Sequence, residues 1–211
     1  MDDTRLYLPI LLGTVRQGRE TEKVARLLLD RVGRHPEIRT ELFDPREMVL
    51  PMDDEGQSLK FENPAWRNAV MQADGLILVS PEYNHGYPGS LKRALDVLLT
   101  EYVHRAVGLV GVSAGGFGGA RALEKLVGVV RELGLMVTFT DLNVSNVGSL
   151  FDEAGALTDP SFDKRLDRFL TELVWVARTL RWGRQNLPSA YDQRLSKLQA
   201  EWDAHMARRP G

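Results

Sequence analysis

Three times along this 211-residue chain an apolar run stops at a loop rich in Gly, Ser, Thr or Pro, and a helical pattern begins straight after it. The runs are Leu6 to Leu12, Gly75 to Ser80 and Val107 to Val112. Each is apolar on nearly every residue, the pattern of a strand covered on both faces. The patterns that follow, Val24-Leu28-Val32, Leu91-Ala94-Leu95-Leu98-Tyr102 and Ala122-Leu126-Val130, repeat at helical spacing. Repeated strand-loop-helix units fold as a parallel sheet, so all three loops leave the same C-terminal edge. They can form one site there.

The rest of the chain fills in around that edge. Ile38 to Phe43 is a second short strand, residues 44–63 an irregular excursion, and Asn63 the cap of a helix running from Pro64 to Gln72. Leu135 to Phe139 is a fifth strand, Asn143 to Gly155 a loop, and Phe162, Leu166, Phe169, Leu170, Leu173 and Ala177 make a long amphipathic helix. Tyr191, Leu195, Leu198, Trp202 and Met206 form a helical stripe outside the five-strand core. It is as suited to packing on its own subunit as to an oligomer contact.

Composition removes whole classes of function. The chain has no cysteine, so disulfides, thiolate nucleophiles and cysteine-held metals or clusters are excluded, and any redox role needs an organic cofactor. A net charge of -2 gives no reason to expect nucleic acid or an anionic membrane as partner. The N-terminus lacks the basic start and longer apolar core of a secretory signal, and no apolar run approaches the roughly 18 residues of a spanning helix. A cytoplasmic protein without membrane insertion is expected. The histidines at 35, 85, 104 and 205 have no metal-ligand spacing, so no metal is expected.

The first loop, Gly13-Thr14-Val15-Arg16-Gln17-Gly18-Arg19, offers the hydroxyl of Thr14, the guanidinium of Arg16, the hydroxyl of Thr21 and the positive end of the next helix. That is a place for a phosphate, although neither a nucleoside triphosphatase P-loop nor a G-x-G-x-x-G fingerprint is matched. Glu20 would repel a phosphate if it faced inward. The second loop, Ser80 to Lys92, puts Tyr83 and Tyr87 around Asn84 on a backbone stiffened by Pro81 and Pro88, which suits a flat aromatic ligand. The third, Ser113 to Gly119, is glycine-dense and lets a ligand approach the backbone. Flavin mononucleotide combines one terminal phosphate with a flat tricyclic ring. It fits the three loops together.

These loops, with Pro81 to Ala94 as the specific stretch and Gly13 to Arg19 and Ser113 to Arg121 in support, make the chain resemble the NADPH-dependent FMN reductase family over roughly residues 5 to 182. The resemblance implies an α/β, flavodoxin-like three-layer sandwich with a five-stranded parallel sheet in order 2-1-3-4-5. Residues 1–183 would form the FMN-binding reductase domain, and residues 184–211 a C-terminal helical extension of it. By the same resemblance Thr14, Arg16, Glu20 and Thr21 would surround the phosphate. Pro81, Glu82, Tyr83, Asn84 and His85 would line one side of the ring, and Ser113, Ala114, Gly115 and Gly116 the other. Hydride would pass from NADPH or NADH to FMN and on to a quinone, azo, flavin or similar acceptor in a ping-pong sequence, with no catalytic side chain required. A homodimer or tetramer is implied, with one subunit's loops helping to wall the other's flavin.

Other readings of single features stay in view. His85 is more readily a ring-edge or surface contact than a proton donor, and Asp53, Asp54 and Glu55 a solvated acidic loop. Glu101, Arg105, Arg121 and Arg131 are candidates for ion pairs between subunits. A flavodoxin-like electron carrier, or a flavin-binding sensor, is the alternative to an enzyme. Carriers tend to be markedly acidic, and the balance of 27 basic against 29 acidic residues does not favour one.

Overall fold

Alternate residues of a strand point to opposite faces of its sheet, and here each set meets its own core. The computed structural model describes residues 4–52, 56–154 and 156–208, so the acidic cluster Asp53, Asp54 and Glu55 lies outside the described residues. Its strands are β1 (Leu6–Tyr7), β2 (Ile10–Leu12), β3 (Ile38–Arg39), β4 (Leu42–Phe43), β5 (Gly75–Pro81), β6 (Ala106–Val112), β7 (Met136–Val137) and β8 (Leu142–Val144). Leu8, Ile10, Leu12, Ile77, Val79, Val110 and Val112 join the core beneath α1 (Thr21–Gly33) and α5 (Phe162–Asn186). Tyr7, Leu11, Leu76, Leu78, Val107 and Leu109 join the other core. That one lies beneath α2 (Pro64–Gln72), α3 (Gly89–Asp96) and α4 (Ala120–Glu132). A parallel sheet is thus covered on both faces.

The five apolar runs appear in the expected order 2-1-3-4-5, with every pairing parallel, but the first and second are each broken into two short strands. The break in the first run has a simple cause. Toward the second run Leu8 N donates to Arg39 O at 3.0 Å and Ile10 N to Glu41 O at 2.8 Å, while Leu8 O is taken by the Thr40 hydroxyl at 2.7 Å. Pro9 has no N-H to offer β5, and pairing on that side resumes at Ile10. The fifth run pairs only as β7, leaves the sheet after Thr138, and returns as β8 beside Val110, Gly111 and Val112. β8 begins just before the stretch read from sequence as a loop, and three residues are too few to show a period.

Several local expectations are corrected. The helix after the second loop ends at Asp96, and Tyr102 sits in a separate 3-10 turn where its hydroxyl accepts from Trp66 Nε1 at 3.2 Å and donates to Leu95 O at 3.1 Å. Asn63 stands at the N-cap of α2 but caps nothing. Its amide instead bonds Val49 N, Val49 O and Leu59 O, each at 2.9 Å, and stitches the excursion together. The long helix α5 continues past Gly183 to Asn186 because Arg181 and Arg184 anchor its end. Both reach buried Asp74 just before β5, Arg181 through Nε at 2.7 Å and Arg184 through Nη2 at 2.9 Å, while Tyr7 N donates to the same carboxylate at 2.9 Å.

The tail helix α6 (Asp192–Met206) packs on its own chain. Trp202 is buried against Phe61, their rings stacked at 5.5 Å, and the Arg67 guanidinium lies 4.4 Å from the indole while reaching Gln199 at 2.9 Å. Two of the candidate subunit ion pairs are also internal. Glu101 accepts from Leu99 N at 3.1 Å and faces Lys60 at 3.8 Å, and Arg105 is buried, donating to Val103 O and Met71 O at 3.1 and 2.8 Å.

At Gly108, within β6, Phe169 and Leu173 of α5 press directly on the sheet. A Cβ there would stand 2.5 Å from Phe169 Cζ, inside the van der Waals radius of a fully buried ring. Gly108→Ala is therefore expected to destabilise the protein by about 1–3 kcal/mol, read as a lower urea midpoint. Phe169→Leu in the same chain should recover part of the loss, because the smaller side chain can withdraw from the new methyl group.

Candidate active site

β5 and β6 run in register from Gly75↔Ala106 to Pro81↔Val112, so the second and third loops start side by side. Glu82 N continues the ladder to Val112 O at 3.1 Å. Gly13 follows β2 on the other side, its N-H bonded to Val79 O at 2.8 Å, and brings the first loop next to the same edge. A Cβ on Gly13 would meet Val79 O at 2.6 Å, so no larger residue allows this approach. A cleft of about 340 Å³ opens between the three loops.

Two arginines hold the shape of the first loop. Arg19 is buried and donates to Thr14 O at 2.5 Å, to Asp44 Oδ1 at 2.9 Å and to Glu22 Oε2 at 3.2 Å. Arg46 donates to Val15 O at 3.2 Å and Arg16 O at 2.5 Å. Three successive carbonyls are therefore held by guanidinium groups on one side of the loop. Burial works to raise the Asp44 carboxyl, but the hydrogen bond from Arg19 and the Arg46 amide hold it below the usual carboxylate range. Asp44 lies in the irregular excursion and carries no motif. In the sequence Arg19 is only the last residue of the first loop.

The predicted phosphate ligands fare differently. Thr21, the first residue of α1, is 2% exposed, lines the cleft, and its Oγ1 has no hydrogen-bond partner among the described residues. Among the described residues no side chain caps α1. Glu20 is also on the cleft wall, and Lys23 Nζ lies 2.8 Å from its carboxylate, which offsets the charge an incoming anion would meet. Arg16 is exposed at the rim, with its guanidinium 5.4 Å from the Tyr83 ring centre. Thr14 is not on the cleft surface. Its buried Oγ1 takes the Arg16 amide at 3.2 Å and meets the Tyr83 hydroxyl at 3.2 Å, tying the first loop to the second.

In the second loop, Pro81, Glu82 and Tyr83 line the cleft, and Asn84 and His85 do not. Tyr83 and Gly86 exchange both backbone hydrogen bonds, at 2.9 and 3.0 Å, around a two-residue turn with φ of 51° at Asn84 and 62° at His85. Such a turn needs two left-handed residues, which asparagine and histidine tolerate better than most. Both side chains are exposed at its tip, and Tyr87 packs against the core.

In the third loop Ser113 and Ala114 reach the cleft, while Gly115 and Gly116 lie beyond it with open space around each Cα. The loop is fastened to β8 and the residues after it. Ser113 N donates to Val144 O, Asn146 N to Gly115 O, Ser145 Oγ to Gly116 O and Asn143 Nδ2 to Gly118 O, at 2.9–3.1 Å. Gly118 and Gly119 take φ of 57° and 78°. Arg121, a candidate subunit contact from sequence, instead bridges to the second loop, giving Nε to Glu82 Oε1 at 2.6 Å. Burial pushes the Glu82 carboxyl up, but Arg121 pulls it below its ordinary range. Gln17, Gly18, Arg19, Val112 and Val147 complete the wall. Val147 had no sequence signal at all.

The chain matches the NADPH-dependent FMN reductase family model over residues 8–148. It is 30% identical over 174 residues to the FMN-dependent NADPH-azoreductase of Staphylococcus haemolyticus (strain JCSC1435), a match covering 78% of this chain and 92% of that one. It is 33% identical over 124 residues to an NADPH azoreductase of Bacillus sp. (strain OY1-2), covering 57% of this chain and 66% of that one. Among solved structures, the flavoenzyme NAD(P)H:(acceptor) oxidoreductase FerB from Paracoccus denitrificans superposes with a TM-score of 0.68 at 18% identity, over 82% of this chain and 98% of that one, which establishes the shared fold. Relatives named as NADPH-consuming enzymes do not favour an electron carrier or a non-enzymatic sensor. The chain belongs to the NADPH-dependent FMN reductase family, and it is an FMN-dependent NAD(P)H oxidoreductase with a flavodoxin-like fold.

Proposed function

We propose that FMN sits in the cleft between the three loops with its phosphate at the start of α1, and that the protein reduces quinones, azo compounds or similar flat acceptors in a ping-pong sequence. The observation that carries this reading is the Thr21 hydroxyl, buried, unpartnered and facing a cleft at an uncapped helix start. A buried hydroxyl left without a partner costs about 1–3 kcal/mol, and a phosphate oxygen is the group this site is made to receive. When bound, FMN supplies a ring that accepts a hydride equivalent from NAD(P)H and passes two electrons to the second substrate.

The chain's own part is to hold, orient and shield. Thr21 and the amide end of α1 take the phosphate, with Arg16 at the rim adding charge and Lys23 restraining Glu20. Thr14 supports the site indirectly, as the hydroxyl that locks Tyr83 and the first loop together. Pro81, Glu82 and Tyr83 present backbone and ring to one side of the flavin, and Ser113 and Ala114 to the other. Asn84 and His85 form the turn that aims Tyr83, with Gly115 and Gly116 leaving room beside the third loop. No side chain is assigned a proton-transfer role. The reading includes a homodimer, supported by the exposed tip of the second loop beside the cleft, and a cytoplasmic location, where NAD(P)H is available. Residues 184–211 belong to the same domain, a reading supported by the packing of Trp202 on Phe61 and Arg67.

Three outcomes follow. Purified protein is expected to bind FMN with quenching of its fluorescence, and anaerobic NADPH should bleach the bound flavin; binding without bleaching would return the carrier reading. Thr21→Val, which removes the hydroxyl and keeps the shape, should weaken FMN binding about ten-fold or more, measured by fluorescence titration. Acid should release FMN. Asp44 and Glu82 are held below their ordinary range, so their ion pairs contribute fully above the unfolded carboxylate values of about 4 and are lost as pH falls through the lower folded values. Flavin fluorescence should rise in that window, and Asp44→Asn should show weaker retention already at neutral pH.

A further inference from the structure

The third loop holds one residue that packing does not explain. Phe117 is the only large side chain between Ser113 and Gly119, and it is 64% exposed. Its neighbours are fixed on both sides, Gly116 O by Ser145 Oγ at 2.9 Å and Gly118 O by Asn143 Nδ2 at 3.1 Å, while Phe117 O itself accepts from Ala120 N at 3.1 Å. A slack loop would let the ring fold back onto the protein. This one holds it out in solvent, where an apolar ring gains nothing unless something covers it.

One face of the ring is already backed. The Arg121 guanidinium stands 4.4 Å from its centre and bonds Glu82 at the same time, and Glu82 lines the cleft. Ring, guanidinium and carboxylate thus form a row that runs outward from the cleft wall. Because Glu82 neutralises Arg121, the row offers an aromatic surface without net charge. That suits an uncharged flat molecule better than the phosphate-bearing end of a dinucleotide.

We propose that Phe117, backed by Arg121, is a stacking platform for uncharged fused-ring quinone acceptors, extending the substrate site beyond the flavin cleft. The proposal rests on the flavin reading of that cleft. The overall reaction is NAD(P)H + H⁺ + quinone → NAD(P)⁺ + hydroquinone, in which the quinone gains two electrons and two protons. Phe117 adds binding to the second half of the cycle and no proton or electron.

The test compares a naphthoquinone with ferricyanide, an acceptor that has no ring to stack and takes one electron per ion. In Phe117→Leu, which keeps apolar bulk without an aromatic face, the ratio of kcat/KM for naphthoquinone to that for ferricyanide should fall about five-fold, through KM for the quinone. Phe117→Trp should restore it. An unchanged ratio, or an equal fall with both acceptors, would overturn the platform, as would loss of FMN or a smaller mass by size-exclusion chromatography, since these place Phe117 in the cofactor site or a subunit contact. Failure of the flavin reading looks different: the unaltered protein would then neither retain FMN nor bleach it with NADPH.

Discussion

The pairing of β5 with β6 is the constraint on which the rest depends. Seven consecutive parallel partners fix where Pro81 and Val112 end, and so fix how far apart the second and third loops begin. Parallel strands buried on both faces must be apolar throughout, which leaves polar groups only at the ends. The sheet therefore expels its hydrogen-bonding capacity to one edge, and the loops there inherit it. Glu82 N reaching Val112 O is the last rung of that ladder and the first contact of the site.

Charge is distributed in keeping with this. At the N-terminal edge Asp74 is surrounded by Arg181, Arg184 and the Tyr7 amide, which ties α5 to the sheet through a buried carboxylate. At the C-terminal edge Arg19 with Asp44 and Arg121 with Glu82 brace loops instead of helices. Buried pairs of this kind add less net stability than their short distances suggest, because desolvation offsets attraction, but losing one partner leaves the other stranded. Their value at the cleft lies in fixing geometry: Arg19 orders the first loop, and Arg121 joins the second to the third.

The architecture was legible because long-range rules act on patterns that survive in a single sequence. Dense apolar runs ending in Gly- and Pro-rich loops dictate the parallel sheet and its common edge. What stayed illegible was set by contacts between distant residues. β8 is three residues long and exists because Val110, Gly111 and Val112 offer it an edge. Asn63 has the right chemistry for a cap, yet Val49 and Leu59 supply better partners. The hydroxyl of Thr14 is visible in the sequence, but its burial and its contact with Tyr83 are tertiary facts. Arg121 is a candidate for a subunit ion pair from sequence, and only the fold puts Glu82 of the same chain beside it.

The fastening of the third loop to β8 has a consequence for how such a site can vary. Gly116 and Gly118 are held by Ser145 and Asn143, residues 29 and 25 positions downstream and outside the three loop motifs. The loop's shape is thus stored in the strand behind it. Transplanting Ser113 to Gly119 alone into a related scaffold would move the letters and leave the conformation behind, whereas carrying residues 142–147 along with it would transfer the working surface intact.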